Sequence, residues 1–546
     1  MNRARIHWPS VLLFCLGFFS TTAASNIIQD VFMELFGELT KDEKARTLRL
    51  AHLDTLLALG TSRPGEKLLH IPEYADPKAR QLGINISQSL VSSDLDEWMN
   101  RVMEVVPKLD EMKSFAMVRR LLVAALIKYW LEHGNKIPDE CTLKVQELLL
   151  QLYKVHRIGA VHKGVMEYLH ISKSGGTSWC HIAELNGCVT ERYDRSYVCQ
   201  VKKFDDKVRW LNMTFHMLQI PVYRVPQYVL KRFSRFGTFR KNHDMSACSA
   251  RRQLIASRGY NYYSNEYTVH GGHKGMENAH MCSNFFNAIV LRDPLKRLVS
   301  HMKFVMWTMS GDRGYNDTIL FNRMYANRSS EFWQALGPAI VDNYFIRSLL
   351  GEKAFHVPVG TVSREMLSLA EHVLVQFDLV LVLEQDTEVK NLITSYGVGW
   401  NHTLEEVHDK DSNVREAEFN TTAYIPRDLD RLLQAQTLDM ELFEFTKTLA
   451  QLDPVVYAVA RKVGLQPLPP ESSIDSEGPP CGLLRGQYKE GLLTSLGAKK
   501  PTLAAKRKKG KGLGAGRKDP ARQARASRAS SRLGVGIENR QQGGGR

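Results

Sequence analysis

The chain has 546 residues, 43% of them hydrophobic, which suffices for a sizeable core and about two to four domains and excludes a wholly disordered chain. Its net charge of +15 is concentrated: Lys499 to Arg546 holds 15 Lys and Arg against Asp519 and Glu538, so the tail carries +13 and the rest about +2. The body therefore lacks the basic surface of a nucleic-acid-binding domain, and no nucleic-acid partner is expected.

Arg3 and Arg5 precede an apolar run, Val11–Phe19, and the small residues Ser20–Ser25. A membrane span needs about 20 apolar residues, so the pattern reads as a secretory signal or short signal anchor over 1–24, cleaved near Ala24. A buried N-terminal helix is the alternative. Six N-x-S/T triplets, at Asn85, Asn212, Asn316, Asn327, Asn401 and Asn420, fit a lumenal chain. Without Cys15, seven cysteines remain: Cys141, Cys180, Cys188, Cys199, Cys248, Cys282 and Cys481. An odd number leaves at least one unpaired or paired with another chain. One or two disulfides are expected among Cys180 to Cys282, with open connectivity. Zinc-ligand spacing is absent.

Residues 25–161 read as a helical region. A helix starts near Asp94 behind a Ser93…Asp96 cap. Phe115–Leu131 contains LLVAALI, apolar all round, and predicts a buried helix. Cys141–Tyr153 predicts another. No catalytic constellation occurs here, and a packing or oligomerisation role is expected.

Met166–Trp179, MEYLHISKSGGTSW, alternates as a strand through Tyr168, Leu169, His170 and Ile171. It then turns through Lys173-Ser174-Gly175-Gly176-Thr177-Ser178 into a helix over Trp179–Leu185. Strand, glycine turn and helix aim backbone N–H groups and a helix N-terminus at one anion. The glycines let the backbone approach that anion, Lys173 adds charge, and the hydroxyls of Thr177 and Ser178 add donors. GxxxxGK[ST] would place the lysine after the second glycine, so this is not a Walker A loop. An ordinary strand-to-helix turn is the competing reading. His170, at the strand's end, reads as structural.

Phe286–Met302, FNAIVLRDPLKRLVSHM, repeats the logic: an apolar strand, Arg292-Asp293-Pro294, then a helix carrying Arg297 and Ser300. Pro294 suits a first turn and Asp293 an N-cap. Arg292 and Ser300 are placed to hold a second anion.

Together these two segments resemble the Golgi carbohydrate sulfotransferases of the heparan-sulfate type. In that family HIPK(T/S)GGT(S/T) reads the 5′-phosphosulfate of 3′-phosphoadenosine 5′-phosphosulfate (PAPS), and LRDPxxRxxSH its 3′-phosphate. Here the first motif is HISKSGGTS, with Ser172 in place of proline; the second matches at every expected position. The resemblance covers roughly Gly164 to Leu465. It implies an α/β fold, a P-loop-like parallel sheet flanked by helices (the sulfotransferase fold), over 162–466. It also implies PAPS as donor co-substrate, no metal, and a glycan or polysaccharide acceptor in the Golgi lumen, with membrane association left open. Lys173, Ser174, Gly175, Gly176, Thr177, Ser178, Arg292 and Ser300 would bind the donor, and Lys173 would stabilise the oxygen released as the S–O bond breaks. The family carries a base between its two motifs, a histidine or a glutamate. His270-Gly271-Gly272-His273 offers His273 first and His270 second, with His280 and Glu384 behind them.

Asn186–Asn265 lacks long periodicity and reads as loops and short helices on the acceptor side. Asp342–Gly351, DNYFIRSLLG, resembles a helix the family carries, with Asn343 and Arg347 on one face, lining the cleft or solvated. Phe377–Glu384 reads as a buried parallel strand and, with Gly399-Trp400, resembles the family's closing unit FDxVGxxE…LGW. Residues 467–546 form a Pro/Ser/Glu linker and a basic tail of a composition that stays disordered. That tail is either solvated or a dock for acidic glycans. Lys506–Lys509 imitates a nuclear signal, at odds with the N-terminus. Two other functions compete. A kinase-like nucleotide-dependent transferase lacks its motifs, and a catalytically silent glycan-binding protein would keep the fold alone.

Overall fold

The computed structural model describes residues 21–59, 94–109, 115–194, 198–219, 243–311, 318–407, 422–468 and 480–485. The signal segment to residue 20, the sequons at Asn85, Asn316 and Asn420, and the basic tail lie outside them. So does the Ser93 of the expected cap.

The centre is a parallel sheet of four short strands: β1 (Met166–Leu169), β2 (Tyr262–Asn265), β3 (Phe286–Leu291) and β4 (Leu379–Val382). Every strand residue is buried, because helices cover both faces, as parallel sheets require. The order is β2-β1-β3-β4. From β1 the chain moves outward to β2, then crosses back to β3 on the other side of β1. The order thus reverses between β1 and β3, and a crevice opens at their carboxyl ends, where open α/β sheets place ligands.

The principal helices, in chain order, are α1 (Thr21–Phe36), α2 (Glu43–Leu59), α3 (Leu95–Val105), α4 (Phe115–Glu132), α5 (Asp139–Lys163) and α6 (Gly176–Leu185). Then come α7 (Cys248–Arg258), α8 (Pro294–Gly311), α9 (Tyr344–Leu349), α10 (Arg364–Leu374), α11 (Thr387–Val398) and α12 (Thr437–Lys462). The cap of α3 is Asp94, whose carboxylate accepts from the Asp96 N–H at 3.2 Å. α4 is buried almost all round, as its sequence requires. α5 runs well beyond the expected Tyr153, to a left-handed Gly164 that stops it. Asn186–Asn265 contains a full helix, α7, and the edge strand β2, not loops alone.

The N-terminal helices and the sheet share one hydrophobic core reaching from Ile28 to Leu484. Buried charges join them. Arg119 and Arg120 of α4 both pair with Asp453 of α12, at 2.9 and 2.6 Å. They also donate to the carbonyls of Asp378, Val375 and Phe377, just before β4. Lys163 of α5 holds the Asp378 carboxylate at 2.7 Å. Two guanidiniums on one carboxylate make that carboxylate hard to lose. Asp453→Ala is expected to cost about 3–5 kcal/mol, read from urea denaturation, because two buried cations lose their counter-charge.

Three disulfides form: Cys180–Cys199, Cys188–Cys481 and Cys248–Cys282, with Cys141 buried and free. Two fall in the expected interval, and the third ties the segment after the linker to the end of α6. Such bonds indicate a secretory or otherwise oxidising compartment. Asn212, Asn327 and Asn401 are all exposed, as sequons must be to be used. Among the described residues no helix is long and apolar enough to cross a membrane.

Candidate functional site

The turn after β1 is built around two unusual backbone positions. Lys173 sits in the left-handed region at φ 68°, and Gly175 at φ 85°. A non-glycine residue there is strained, and strain of this kind collects where function holds it. Gly176 opens α6, and a Cβ on it would lie 1.8 Å from the His170 ring. His170 is itself buried, against Tyr168 on one side and this glycine on the other, so its role is to shape the turn.

The first bond of α6 runs from the Trp179 N–H to the Gly175 carbonyl. The N–H groups of Gly176, Thr177 and Ser178 therefore stand ahead of the helical ladder, at the positive end of the helix dipole. Thr177 is exposed and Ser178 half-buried, whereas Ser174 is fully buried and its N–H donates to the Ile171 carbonyl. Ser174 thus builds the turn. The Lys173 ammonium reaches across to α8, 4.5 Å from the Phe304 ring centroid.

β3 delivers the second half. Arg292 donates from Nη1 to the Lys173 carbonyl at 3.2 Å, locking the two turns together over the crevice. Its Nε lies 3.8 Å from Glu384, just past β4. Glu384 also accepts from the Asp293 N–H at 3.1 Å, so three strand ends meet here. Asp293 caps α8 as expected, accepting from the N–H groups of Leu295 and Lys296. Ser300 lies half-buried on α8, two turns beyond Arg292. Arg297 and His301 of the same motif point inward. Arg297 donates to His301 at 3.0 Å and to the Ile340 carbonyl, and burial lowers the guanidinium pKa to about 10. They seat the helix.

On the other flank stands Glu266, directly after β2, in a stretch of sequence that no motif marks. It accepts from the Ser172 hydroxyl at 3.2 Å and from Gln200 at 2.9 Å. Ser172 in turn accepts from the Tyr344 hydroxyl at 3.0 Å, and Tyr344 from Trp210 at 3.4 Å. Ser172 is the joint of this run of hydrogen bonds. Proline there would remove that joint.

The histidines separate. His270 is 1% exposed, on the far face of β1, with Nε2 2.7 Å from Glu167 and Nδ1 3.1 Å from the Ser246 carbonyl. Both ring nitrogens are engaged inside the core, one at the Glu167 carboxylate and one at a backbone carbonyl. Burial alone would raise the Glu167 pKa, but His270 and Arg251 outweigh it and hold it at about 2. Cys282 lies beside this pair, but its sulfur is in a disulfide and is not a thiolate ligand. His273 sits half-buried in a loop pressed on the start of the segment after α9, where a Cβ on Gly272 would meet the Leu350 carbonyl at 2.3 Å. His280 is held by the Asn278 carbonyl at 2.7 Å. Asn343 and Arg347 are neither cleft-lining nor solvated. Arg347 is buried against Asp342 and donates to the carbonyls of Val357 and Pro358. Asn343 accepts from the Asp439 N–H at 2.9 Å.

What the site presents is a lysine, an arginine and a helix N-terminus over one crevice, with a carboxylate on each flank. That arrangement suits an elongated ligand with two anionic groups. No protein-family model, curated protein or solved structure matches this chain.

Proposed function

We propose that the chain is a sulfotransferase of the secretory pathway, of the Golgi lumen type, with the sulfotransferase fold. It moves the sulfuryl group of PAPS to a carbohydrate hydroxyl. The observation that carries this reading is the bond from Arg292 to the Lys173 carbonyl at the β1–β3 switch point, which joins the two anion-binding turns. Lys173 and the N–H groups of Gly176, Thr177 and Ser178 hold the 5′ end, and Arg292 with Ser300 holds the 3′-phosphate. The donor supplies an activated sulfuryl group, so the protein needs to align it and neutralise charge on the leaving oxygen. Lys173 does the second. Two groups remain to take the acceptor's proton: Glu266, bonded to the residue next to Lys173, and His273.

The test is calorimetry with adenosine 3′,5′-bisphosphate on the full chain. Binding is expected, with a preference over the nucleotide lacking the 3′-phosphate, and Arg292→Ala should narrow that preference. Absence of binding overturns the reading.

A further inference from the structure

α8 buries one side in the core through Leu298, His301, Met302, Val305 and Met306. Ser300, Lys303, Phe304 and Trp307 are half-buried and recur at three- and four-residue spacing, so they share its other face. A face of this kind is ordinarily polar. Here it carries two large aromatic rings, and it begins at Ser300, on the side of the crevice proposed for the 3′-phosphate. Phe304 and Trp307 lie roughly 6 and 10 Å further along the helix axis.

These rings are tied to the reacting end of the site. The Lys173 ammonium lies 4.5 Å from the Phe304 centroid. Phe304 and Trp307 have near-parallel planes, 30° apart, with centroids at 5.9 Å. Trp210 backs Phe304 edge-on at 5.8 Å, and its indole N–H begins the run through Tyr344 and Ser172 to Glu266. The aromatic wall, Lys173 and Glu266 are thus linked by direct contacts. An aromatic face is electron-rich and attracts the C–H bonds of a pyranose, which carry partial positive charge. A polyanionic chain is held differently, by arrays of arginine and lysine. The body outside the tail carries only about +2, and this face sets two rings beside Lys303.

We propose that Trp307, with Phe304, forms an acceptor platform on which a neutral pyranose of a glycan stacks its C–H face and turns a hydroxyl towards Lys173 and Glu266. This rests on the proposed sulfuryl transfer and narrows its acceptor to a neutral glycan, as against an acidic polysaccharide.

The experiment measures sulfuryl transfer from PAPS by the full-length chain to two kinds of probe. One is a set of neutral oligosaccharides of β-linked galactose and N-acetylglucosamine; the other is a heparosan tetrasaccharide, whose uronates are acidic. The best neutral probe should be used about tenfold better in kcat/KM. Trp307→Leu should raise the KM for that probe about tenfold, the scale of one aromatic contact, and leave kcat largely unchanged. Trp307→Phe keeps a π face and should recover most of the loss. Leucine packs as well as phenylalanine, so a tryptophan that only packs would give the same KM in both variants. Both variants should bind adenosine 3′,5′-bisphosphate as the wild type does and melt near its temperature. An unchanged acceptor KM in Trp307→Leu overturns the platform, and a preference for heparosan overturns the neutral acceptor; the proposed function stands in either case. Binding of the bisphosphate without transfer to any neutral probe also overturns this proposal, and transfer to 4-nitrophenol alone would place a phenol on the rings instead. A wild-type protein that does not bind the bisphosphate overturns the transferase reading and the platform with it.

Discussion

Lys173→Ala is expected to leave the protein folded and to reduce turnover at least ~10²-fold, the range for losing one charge-stabilising donor. The side chain lies half-buried over Phe304 and contributes little to the core, so the thermal midpoint should barely move. The strained backbone adds a second effect, because alanine inherits the same left-handed φ of 68°. Lys173→Gly separates the two. Glycine relieves the strain and should stabilise the fold slightly. It lacks the ammonium all the same, so its turnover should be as low as that of the alanine variant. A glycine variant with near-wild-type turnover would show that the lysine holds no charge in the reaction.

The parts of this site legible in the sequence are those whose chemistry is local. HISKSGGTS and LRDP each place a strand end, a turn and a helix start within a dozen consecutive residues, and the turn residues announce themselves. β2 did not show because Tyr262-Tyr263-Ser264-Asn265 has no apolar run. It pairs with β1 while Asn265 donates to Glu167 and the Thr268 carbonyl, partners supplied by the fold. The same distance problem hid His270. Its loop position suggests chemistry, yet a carboxylate 103 residues earlier, on the inward face of β1, takes its ring. Arg347 read as a surface or cleft residue for the same reason, since the carbonyls that bury it belong to the turn after α9. Glu266 was invisible because a lone glutamate after a polar tetrapeptide carries no pattern. Only the meeting of β1 and β2 puts it beside Ser172.

That placement sets the second large expectation. Glu266→Gln is expected to lower turnover by ~10²- to 10⁴-fold, the range for removing a positioned general base. Affinity for adenosine 3′,5′-bisphosphate should be unchanged, because Lys173 and Arg292 hold the phosphates in the proposed complex. Glutamine keeps the shape and a carbonyl oxygen for the Ser172 hydroxyl, and a flip of the Gln200 amide lets its oxygen accept from the new amide, so a purely structural glutamate would tolerate the change. His273→Ala is the comparison, in a half-buried loop outside the strands. If the carboxylate takes the proton, the histidine variant should lose much less than the Glu266 variant, and both should melt near the wild-type temperature. His270→Ala should behave differently from either, lowering the melting temperature because the buried Glu167 loses its closest donor. Steady-state turnover, calorimetry and melting on the three variants separate these roles. A Glu266→Gln protein with full turnover beside a dead His273→Ala protein would return the base to the histidine loop and leave Glu266 as the brace of Ser172.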